Sequence, residues 1–375
     1  MKKIGSYLKN DVVFLLKLVD IEETTIEEKE KLIQEKKKHY SEMISPEYIP
    51  TKEYIDIFKY SLKIYSNKVA SNIIQLSHYI NNNIEKPIIV SLLRAGTPIG
   101  VLLHRTLKQC FNKENIHYSI SIIRDKGVDF NALKFILKNE AIKNNTTIEN
   151  IAKNIIFIDG WTGKGVIKKE LEKSISFLNK ELNINISSKL YVLADISGKA
   201  DVSATFDDYL IPSSALNSTI SGLISRSILN DELLKNNEFH GAKYYKELKN
   251  NDYSLYYINT IMKKVLNIYS NKIEFENLNF VMNNDKLKKE LEMKCDSFLN
   301  YIQEKYKIKN INFIKPGIGE TTRVLLRRNP DFIILKNENL QEIQHILKLI
   351  KEKEIQIIIE KDLPYSVVGI IKSVD

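Results

Sequence analysis

Residues 155–171 (IIFIDGWTGKGVIKKEL) bring one acid, three glycines and a threonine together between an apolar run and a helical pattern. The apolar run predicts a strand that ends at Asp159, and the pattern from Val166 onward predicts a helix. At the carboxyl end of a parallel strand, the next helix directs its free N–H groups and the positive end of its dipole at whatever lies there. We therefore expect the intervening loop to bind a phosphate.

The residue types in this loop suit a phosphorylated sugar. Glycines let the backbone approach an anion closely, Thr162 adds a hydroxyl, and Asp159 can accept hydrogen bonds from sugar hydroxyls. Trp161, the single tryptophan, either stacks on a base or closes the loop. The predicted substrate contacts here are Gly160, Trp161, Thr162, Gly163, Lys164 and Gly165.

A second strand, loop and helix precede this stretch. Residues 87–93 (PIIVSLL) read as a buried strand, 94–98 (RAGTP) as a loop and 99–110 as a helix. Two anion-binding loops on neighbouring strands predict a ligand with phosphates at both ends of a sugar, such as phosphoribosyl diphosphate. The predicted substrate contacts of this second loop are Ser91, Ala95, Gly96 and Thr97, with Arg94 beside them.

Alternating strands and helices through the middle third predict an α/β fold, an open parallel sheet with flanking helices. The pattern also predicts a short helix over 11–19 and a long one over 51–80, and the Ser-rich stretch 196–227 predicts functional loops or a lid. A small α/β/α sandwich is expected near the C-terminus. The predicted domains are 1–275, a helical linker 276–306, and 307–375.

Composition narrows the class of protein. A net charge of +9 and a pI near 9.1 favour polyanionic partners, although the 27% of charged residues carry both signs, so much of the charge is ordinary solvated surface. Cys110 and Cys295 lack the spacing of a disulfide framework or a zinc site, so we expect a cytoplasmic location. No apolar run approaches the length of a membrane span, which predicts no membrane partner.

Two of these segments resemble the type I phosphoribosyltransferases: SLLRAGTPIG is similar to their diphosphate loop, and FIDGWTGKG to their 5′-phosphate loop. Further segments (HYSEM, HYSISIIR, DDYLIPSSALNSTISGLISR and FHGAKYY) resemble a stress- and tellurite-resistance-associated family, sometimes labelled StiP, that carries a C-terminal Pelota-type RNA-binding domain. The resemblance implies a phosphoribosyltransferase-type sheet, and an enzyme that forms or cleaves an N-glycosidic bond between phosphoribosyl diphosphate and a base-like acceptor.

The same resemblance implies roles for individual residues. Mg²⁺ would bridge the diphosphate to the ribose hydroxyls, with Asp159 as its protein ligand, while Gly160 stands where most of the family has a second acid. Arg94, Arg124 and Lys126 would neutralise the negative charge of the departing diphosphate. Arg124 and Lys126 are equally consistent with an ordinary solvated loop. Asp195 would help to read the acceptor or would cap a helix.

Near the C-terminus, KPGIGETTRVLLRRNPDFIILK resembles the RNA-contact turn and first helix of Pelota and kink-turn-binding ribosomal proteins. The Lys and Arg side chains of this segment would contact RNA phosphates, and Gly317 would let the backbone approach the RNA closely. Glu320 would accept a hydrogen bond from the edge of a base. The alternative is a basic helix on an ordinary small domain. The predicted RNA contacts are Lys315, Gly317, Gly319, Glu320, Thr321, Arg323, Arg327 and Arg328.

Three hypotheses for function remain open at this point. The first is a phosphoribosyltransferase coupled to RNA binding in a stress response. The second is a non-catalytic regulator that senses phosphoribosyl diphosphate or a nucleotide and binds RNA. The third is a hydrolase, either nucleosidase-like or a cysteine protease that uses Cys110 or Cys295. The sequence leaves the acceptor, the RNA target and a homodimeric state open.

Overall fold

The computed structural model describes residues 3–271 and 285–372, and its larger part is built on a six-stranded parallel sheet. The strands of the first range are β1 (Val13–Phe14), β2 (Lys17–Leu18), β3 (Ile88–Leu92), β4 (Ile116–Ile120), β5 (Ile122–Ile123), β6 (Gly127–Val128), β7 (Ile155–Thr162), β8 (Leu190–Asp195), β9 (Val202–Thr205) and β10 (Gly241–Ala242). The main sheet has the order β1-β4-β3-β7-β8-β9, and each neighbouring pair is parallel. Fully buried runs such as β3 (IIVSL) are typical of strands covered on both faces.

Helices provide that cover. They are α1 (Ile26–Gln34), α2 (Lys52–Asn83), α3 (Gly96–Phe111), α4 (Phe130–Lys143), α5 (Ile148–Ala152), α6 (Val166–Leu182) and α7 (Ser254–Ser270). Successive strand residues point to opposite faces, so Ile156 and Ile158 pack with α2, α3 and α7, whereas Ile155 and Phe157 pack with α4, α5 and α6. The carboxyl edge of the sheet is left for loops.

Residues 285–372 form a second, smaller unit. It comprises α8 (Asp285–Lys305), β11 (Ile314–Pro316), α9 (Ile318–Arg327), β12 (Pro330–Leu335), α10 (Gln344–Glu352), β13 (Gln356–Ile359) and β14 (Val367–Ile371). Its sheet order is β11-β14-β12-β13, in which only β12 and β13 are parallel. Ile334 and Val368 pack with α8 on one face, and Ile333 and Val367 pack with α9 and α10 on the other.

The predicted fold class is confirmed at its coarser level, a mixed α/β chain with a parallel sheet flanked by helices and a small C-terminal sheet domain. A phosphoribosyltransferase-type sheet is not confirmed. The domain boundaries stay a prediction, and the one between 275 and 276 falls outside the described residues. Within 3–271 and 285–372, every helix is too short or too polar to cross a membrane.

Two local predictions are wrong. β7 pairs with β8 as far as Thr162, so Asp159, Gly160 and Trp161 lie in the strand and the loop shrinks to residues 163–165. The expected helix over 11–19 is replaced by β1 and β2, because β1 pairs with β4 at the edge of the sheet. Periodicity does not distinguish a short apolar helix from a short buried strand.

The two predicted anion loops do meet, because β3 and β7 are neighbours in the sheet. The backbone of Gly96 lies so close to Ile158 that a Cβ atom there would overlap the Ile158 carbonyl oxygen. Gly160 lies against Ala95 in the same way, with 3.2 Å between a Cβ built on it and the Ala95 carbonyl oxygen. Glycine at both positions lets the start of α3 pack directly on the end of β7.

Candidate functional site

A cleft of about 660 Å³ lies between the carboxyl edge of the parallel sheet and helix α9. Residues 44–51, Arg94, Asn217 and Arg226 line one wall, and this interdomain cleft is closed from the other side by the C-terminal unit. The charged residues of that unit in the cleft are Lys315, Glu320, Arg323, Arg327 and Arg328. The sequence predicted a sugar-phosphate site at Arg94 and a separate RNA site at these five residues of the C-terminal unit. The structure brings both sets into one cleft.

Asn217 connects the two walls. Its side-chain oxygen accepts a hydrogen bond from Arg94 Nη2 at 3.0 Å and another from Arg327 Nη1. Arg327 Nη2 also donates to the Ala215 carbonyl oxygen at 2.9 Å, while its Nε is buried and has no hydrogen-bond partner among the described residues. The two guanidinium groups repel each other, and the Glu47 carboxylate, whose Oε2 lies 3.5 Å from Arg94 Nη1, offsets part of this repulsion.

The cleft carries an excess of positive charge. Its lining includes seven Lys or Arg side chains and three Glu side chains. Burial, followed by the charges of Arg323 and Arg94, lowers the pKa of Arg327 to about 9. Burial likewise lowers the pKa of Arg226 to about 10, with a contribution from Arg328. Cations that lose pKa through burial and mutual repulsion regain it when an anion binds, so the arrangement favours an anionic ligand.

Asp159 and Lys164 lie at the end of β7, within electrostatic reach of α9. Asp159 Oδ1 accepts from the N–H of Gly160 at 2.7 Å, and burial, with a further contribution from the charge of Glu320, raises its pKa to about 7. Lys164 Nζ donates to the carbonyl oxygens of Ile311 at 2.9 Å and Ile314 at 3.0 Å. Burial and the charge of a neighbouring lysine lower the pKa of Lys164 to about 7. The amine that was predicted to bind phosphate therefore holds the C-terminal unit.

Other predicted substrate contacts are occupied by internal hydrogen bonds. Ser91 Oγ lies 2.8 Å from His117 Nε2, and Thr97 Oγ1 lies 2.8 Å from Ser119 Oγ. The Asp195 carboxylate accepts N–H groups of the following turn, those of Ser197, Lys199 and Ala200. All three predicted side chains are buried, so in this arrangement they stabilise the fold and do not face a ligand.

The remaining predicted residues divide by position. Arg124 Nη1 donates to Asn312 Oδ1 at 3.3 Å, which makes Arg124 another contact with the C-terminal unit. Lys126 is exposed between β5 and β6, outside the cleft. Trp161 is partly buried against the core, and Thr321 is buried with its hydroxyl donating to the Lys315 carbonyl oxygen at 3.1 Å.

The predicted RNA-contact turn, residues 317–319, is docked against the first domain. The Asp208 carboxylate accepts the N–H of Ile318 at 2.8 Å and that of Ser366 at 3.0 Å, and so caps α9 from the other domain. Gly317 has a φ of 89°, and a Cβ there would overlap Ile196. The close approach predicted for RNA is therefore made by the protein itself, whereas Lys315 and several side chains of α9 line the cleft.

The predicted Mg²⁺ has a poor set of donors. Mg²⁺ requires near-octahedral oxygen coordination, usually with one or two carboxylates and substrate phosphates. Across residues 3–271 and 285–372 there is no group of three or more His, Cys, Asp or Glu side chains that could hold a metal ion. Asp159 alone, with the positive charge of Arg323 within electrostatic reach, does not make such a site.

Comparisons with known proteins decide the family. A family model described as "Tellurite-like stress resistance cysteine protease StiP" matches residues 5–262, and a model of the PELOTA RNA binding domain matches residues 293–373. Cysteine protease StiP of Acinetobacter baylyi (strain ATCC 33305 / BD413 / ADP1) is 36% identical over 386 residues, which cover 98% of this chain and 94% of that protein. The chain belongs to the StiP family.

A crystal structure of a hypothetical protein from Neisseria gonorrhoeae with bound ppGpp is similar over 34% of this chain and 66% of its own. At 12% identity and a TM-score of 0.20, that likeness carries no conclusion about fold or ligand.

Membership of the StiP family and the Pelota-type match are thus confirmed, but the predicted activity is wrong. The family description and the relative's name both specify a cysteine protease, which agrees with the third hypothesis. Phosphoribosyl transfer is overturned by this finding, and phosphoribosyl diphosphate loses its support as a ligand. The resemblance of two short loops does not determine the reaction, because similar loops occur in proteins of many functions.

Several residues of the cleft were not predicted from the sequence. Asn217 and Arg226 belong to the Ser-rich stretch 196–227, for which functional loops were expected without any single residue being distinguished. Glu47 and Tyr48 lie in the turn bracketed by two prolines, and nothing in the local pattern separates them from ordinary surface residues.

We predict that Asp208→Ala loosens the docking of the C-terminal unit, because two N–H groups lose a charged acceptor. Hydrogen bonds to charged groups contribute about 1.5–3 kcal/mol each, so the docked state should lose about 3–6 kcal/mol. Hydrogen exchange at Ile318 and Ser366 measures the effect. The matched control is Asp207→Ala, which removes only a surface ion pair with Lys68 (2.8 Å). Equal exchange rates in the two variants would show that the hydrogen bonds to Asp208 do not hold the C-terminal unit in place.

Proposed function

We propose that this StiP-family protein binds RNA in the interdomain cleft. The observation that supports the proposal most directly is the position of α9. The helix belongs to the segment that matches the RNA-binding model. Arg323 and Arg327 on α9, and Arg328 directly after it, line a cleft whose opposite wall carries Arg94 and Arg226. The family description adds the biological setting, resistance to a tellurite-like stress.

The chemistry of the cleft suits phosphodiester groups. A guanidinium group offers paired donors that match two phosphate oxygens, and the buried Nε–H of Arg327 has no hydrogen-bond partner within residues 3–271 and 285–372. A phosphate oxygen can accept a hydrogen bond from this group. Phosphate oxygens would supply acceptors to both walls at once and would screen the repulsion between Arg94 and Arg327.

Binding should depend on both walls. We expect Arg323→Gln on α9 and Arg94→Gln on the first domain each to weaken the binding of a short RNA roughly tenfold, and to lower the slope of log K against log salt by about one. Fluorescence anisotropy over a salt series measures both quantities. The matched control is Lys348→Gln on α10, whose side chain is 78% exposed and does not line the cleft. If Arg94→Gln behaves like this control, RNA does not bind between the walls.

Affinity should also fall as the pH rises from about pH 6 to about pH 8. Lys164, with a lowered pKa of about 7, loses its positive charge over this interval, and Asp159, with a raised pKa of about 7, gains a negative charge. Both changes make the surroundings of the cleft less positive. At constant ionic strength, the double variant Lys164→Arg/Asp159→Asn should show a flatter dependence, because Arg stays charged and Asn stays neutral. A double variant as steep as the wild type would contradict this assignment.

Peptide cleavage is a second candidate function, favoured by the name of the 36% identical relative. A cysteine protease needs an accessible thiolate, usually beside a histidine. Cys295 is fully buried, with its Sγ 3.6 Å from the Ile196 carbonyl oxygen, and Cys110 is 9% exposed. Burial raises the pKa of each thiol to about 11, and no hydrogen bond among the described residues joins either thiol to a histidine. In this arrangement neither thiol is ready for cleavage.

We therefore expect iodoacetamide to modify neither cysteine in the native protein and both after unfolding, as read by mass spectrometry. Rapid modification of one thiol in the native state would show an open conformation and would identify the nucleophile. Peptide cleavage abolished by Cys110→Ser or by Cys295→Ser alone would then establish the protease activity.

The affinity for RNA should be unchanged in Cys110→Ser and in Cys295→Ser, because neither cysteine lines the cleft.

A further inference from the structure

One wall of the interdomain cleft is a short turn that is held rigidly. Residues 44–51 include Pro46 and Pro50, whose rings restrict the backbone dihedral φ. Between them, Glu47 Oε1 accepts hydrogen bonds from the N–H and the hydroxyl of Ser218, each at 3.0 Å. Glu47 Oε2 also lies 3.5 Å from Arg94 Nη1. The turn is therefore fixed to the first domain, next to one of the cations of the cleft.

The residues that follow Glu47 in this turn are exposed. Tyr48 is 73% exposed and Ile49 is 58% exposed, and both line the cleft. The other tyrosine nearby, Tyr54, is already engaged, because its hydroxyl donates to the Leu326 carbonyl oxygen and the Arg327 guanidinium lies 5.5 Å from its ring centre. Tyr48 thus presents an open aromatic face on a rigid support, beside a set of cations.

Cations combined with an exposed aromatic ring favour a single nucleic-acid strand. Such strands bind in positive grooves where bases stack on aromatic side chains, and every base has a face that can stack. The bases of a duplex are stacked on one another and are not available to a side chain. The size of the cleft also favours a single strand, since about 660 Å³ is the volume of a site for a small ligand or a few nucleotides.

We propose that the cleft binds single-stranded RNA, with one base stacked on Tyr48 while the adjacent phosphates contact Arg94 of the first domain and Arg323 and Arg327 of α9. This inference rests on the proposed RNA binding and adds to it the form of RNA and the residue that contacts a base. Both domains supply cations to the cleft, and the first domain also supplies the stacking surface.

The test compares Tyr48→Leu with Tyr48→Phe in the full-length chain. The ligands are a labelled oligouridine, a hairpin duplex of RNA, inorganic polyphosphate and uridine triphosphate. Stacking contributes roughly one to three kcal/mol per base, so Tyr48→Leu should weaken oligouridine binding roughly tenfold or more, whereas Tyr48→Phe should preserve it. Polyphosphate affinity should be the same in both variants, because polyphosphate has no base to stack. The wild type should bind oligouridine more tightly than the duplex or the free nucleotide.

Each outcome separates the two proposals. If the wild type binds neither oligouridine nor polyphosphate, RNA binding in the cleft fails, and this inference fails with it. If oligouridine binds and Tyr48→Leu has no effect, or the duplex binds as tightly, only the stacking on a single strand is overturned. An equal loss of oligouridine and polyphosphate binding in Tyr48→Leu would assign Tyr48 a structural role. Uridine triphosphate bound as tightly as oligouridine would indicate a nucleotide site in place of a strand site.

Discussion

Docking of the C-terminal unit on the carboxyl edge of the parallel sheet is the constraint on which the rest of the site depends. Asp208 caps α9 across the domain boundary, and Lys164 donates to two carbonyl groups of the segment before β11. Gly317 permits this approach because a side chain there would overlap Ile196. Buried backbone donors and acceptors need partners, and here each domain supplies partners for the other. As a consequence, the basic side of α9 faces Arg94.

The same docking explains the electrostatics of the cleft. Guanidinium groups from two domains are brought together with only partial compensation by Glu47 and Glu320, and burial, followed by the charges of Arg323 and Arg94, lowers the pKa of Arg327. The two hydrogen bonds that Arg327 donates to the opposite wall offset part of the cost of bringing these cations together. The proposed polyanion would reduce the remaining repulsion by contacting both walls at once. Interdomain contact and the proposed ligand binding would therefore depend on the same side chains.

Family membership and reaction chemistry are separate questions for this chain. The 36% identity to a protein named a cysteine protease shows the family, whereas the two thiols lie where solvent and a base do not reach them. Cys110 lies near the end of a helix of the main core, and Cys295 lies on α8 and packs against the small C-terminal sheet. Catalytic cysteines need a stabilised thiolate, and burial in apolar surroundings acts in the opposite direction. Function depends on the arrangement of residues at a site more than on the fold. In this structure the cationic side chains are gathered in the interdomain cleft.

The local sequence was sufficient to predict most of the helices and strands. Apolar runs bounded by glycine or proline predicted β3, β8 and the start of β7, and periodicity predicted α2, because backbone propensity and burial act over a few residues. The same reasoning failed where pairing decided the outcome, as at β1 and at the end of β7, since a neighbouring strand is not visible in the local pattern. Asp159 was singled out by residue type and position, and Arg94 and the cations of α9 by resemblance to known families.

Only the tertiary structure decided which of these residues form one site. The contact between Ile318 and Asp208 joins residues 110 positions apart, and no local spacing indicates it. It converts two predicted sites into a single cleft, turns Lys164 and Gly317 from ligand contacts into docking contacts, and brings Tyr48 and Asn217 to the rim. The sequence by itself determined the elements and the chemistry that they carry. The meeting of two folded surfaces determined the site, because complementarity between surfaces exists only after both have folded.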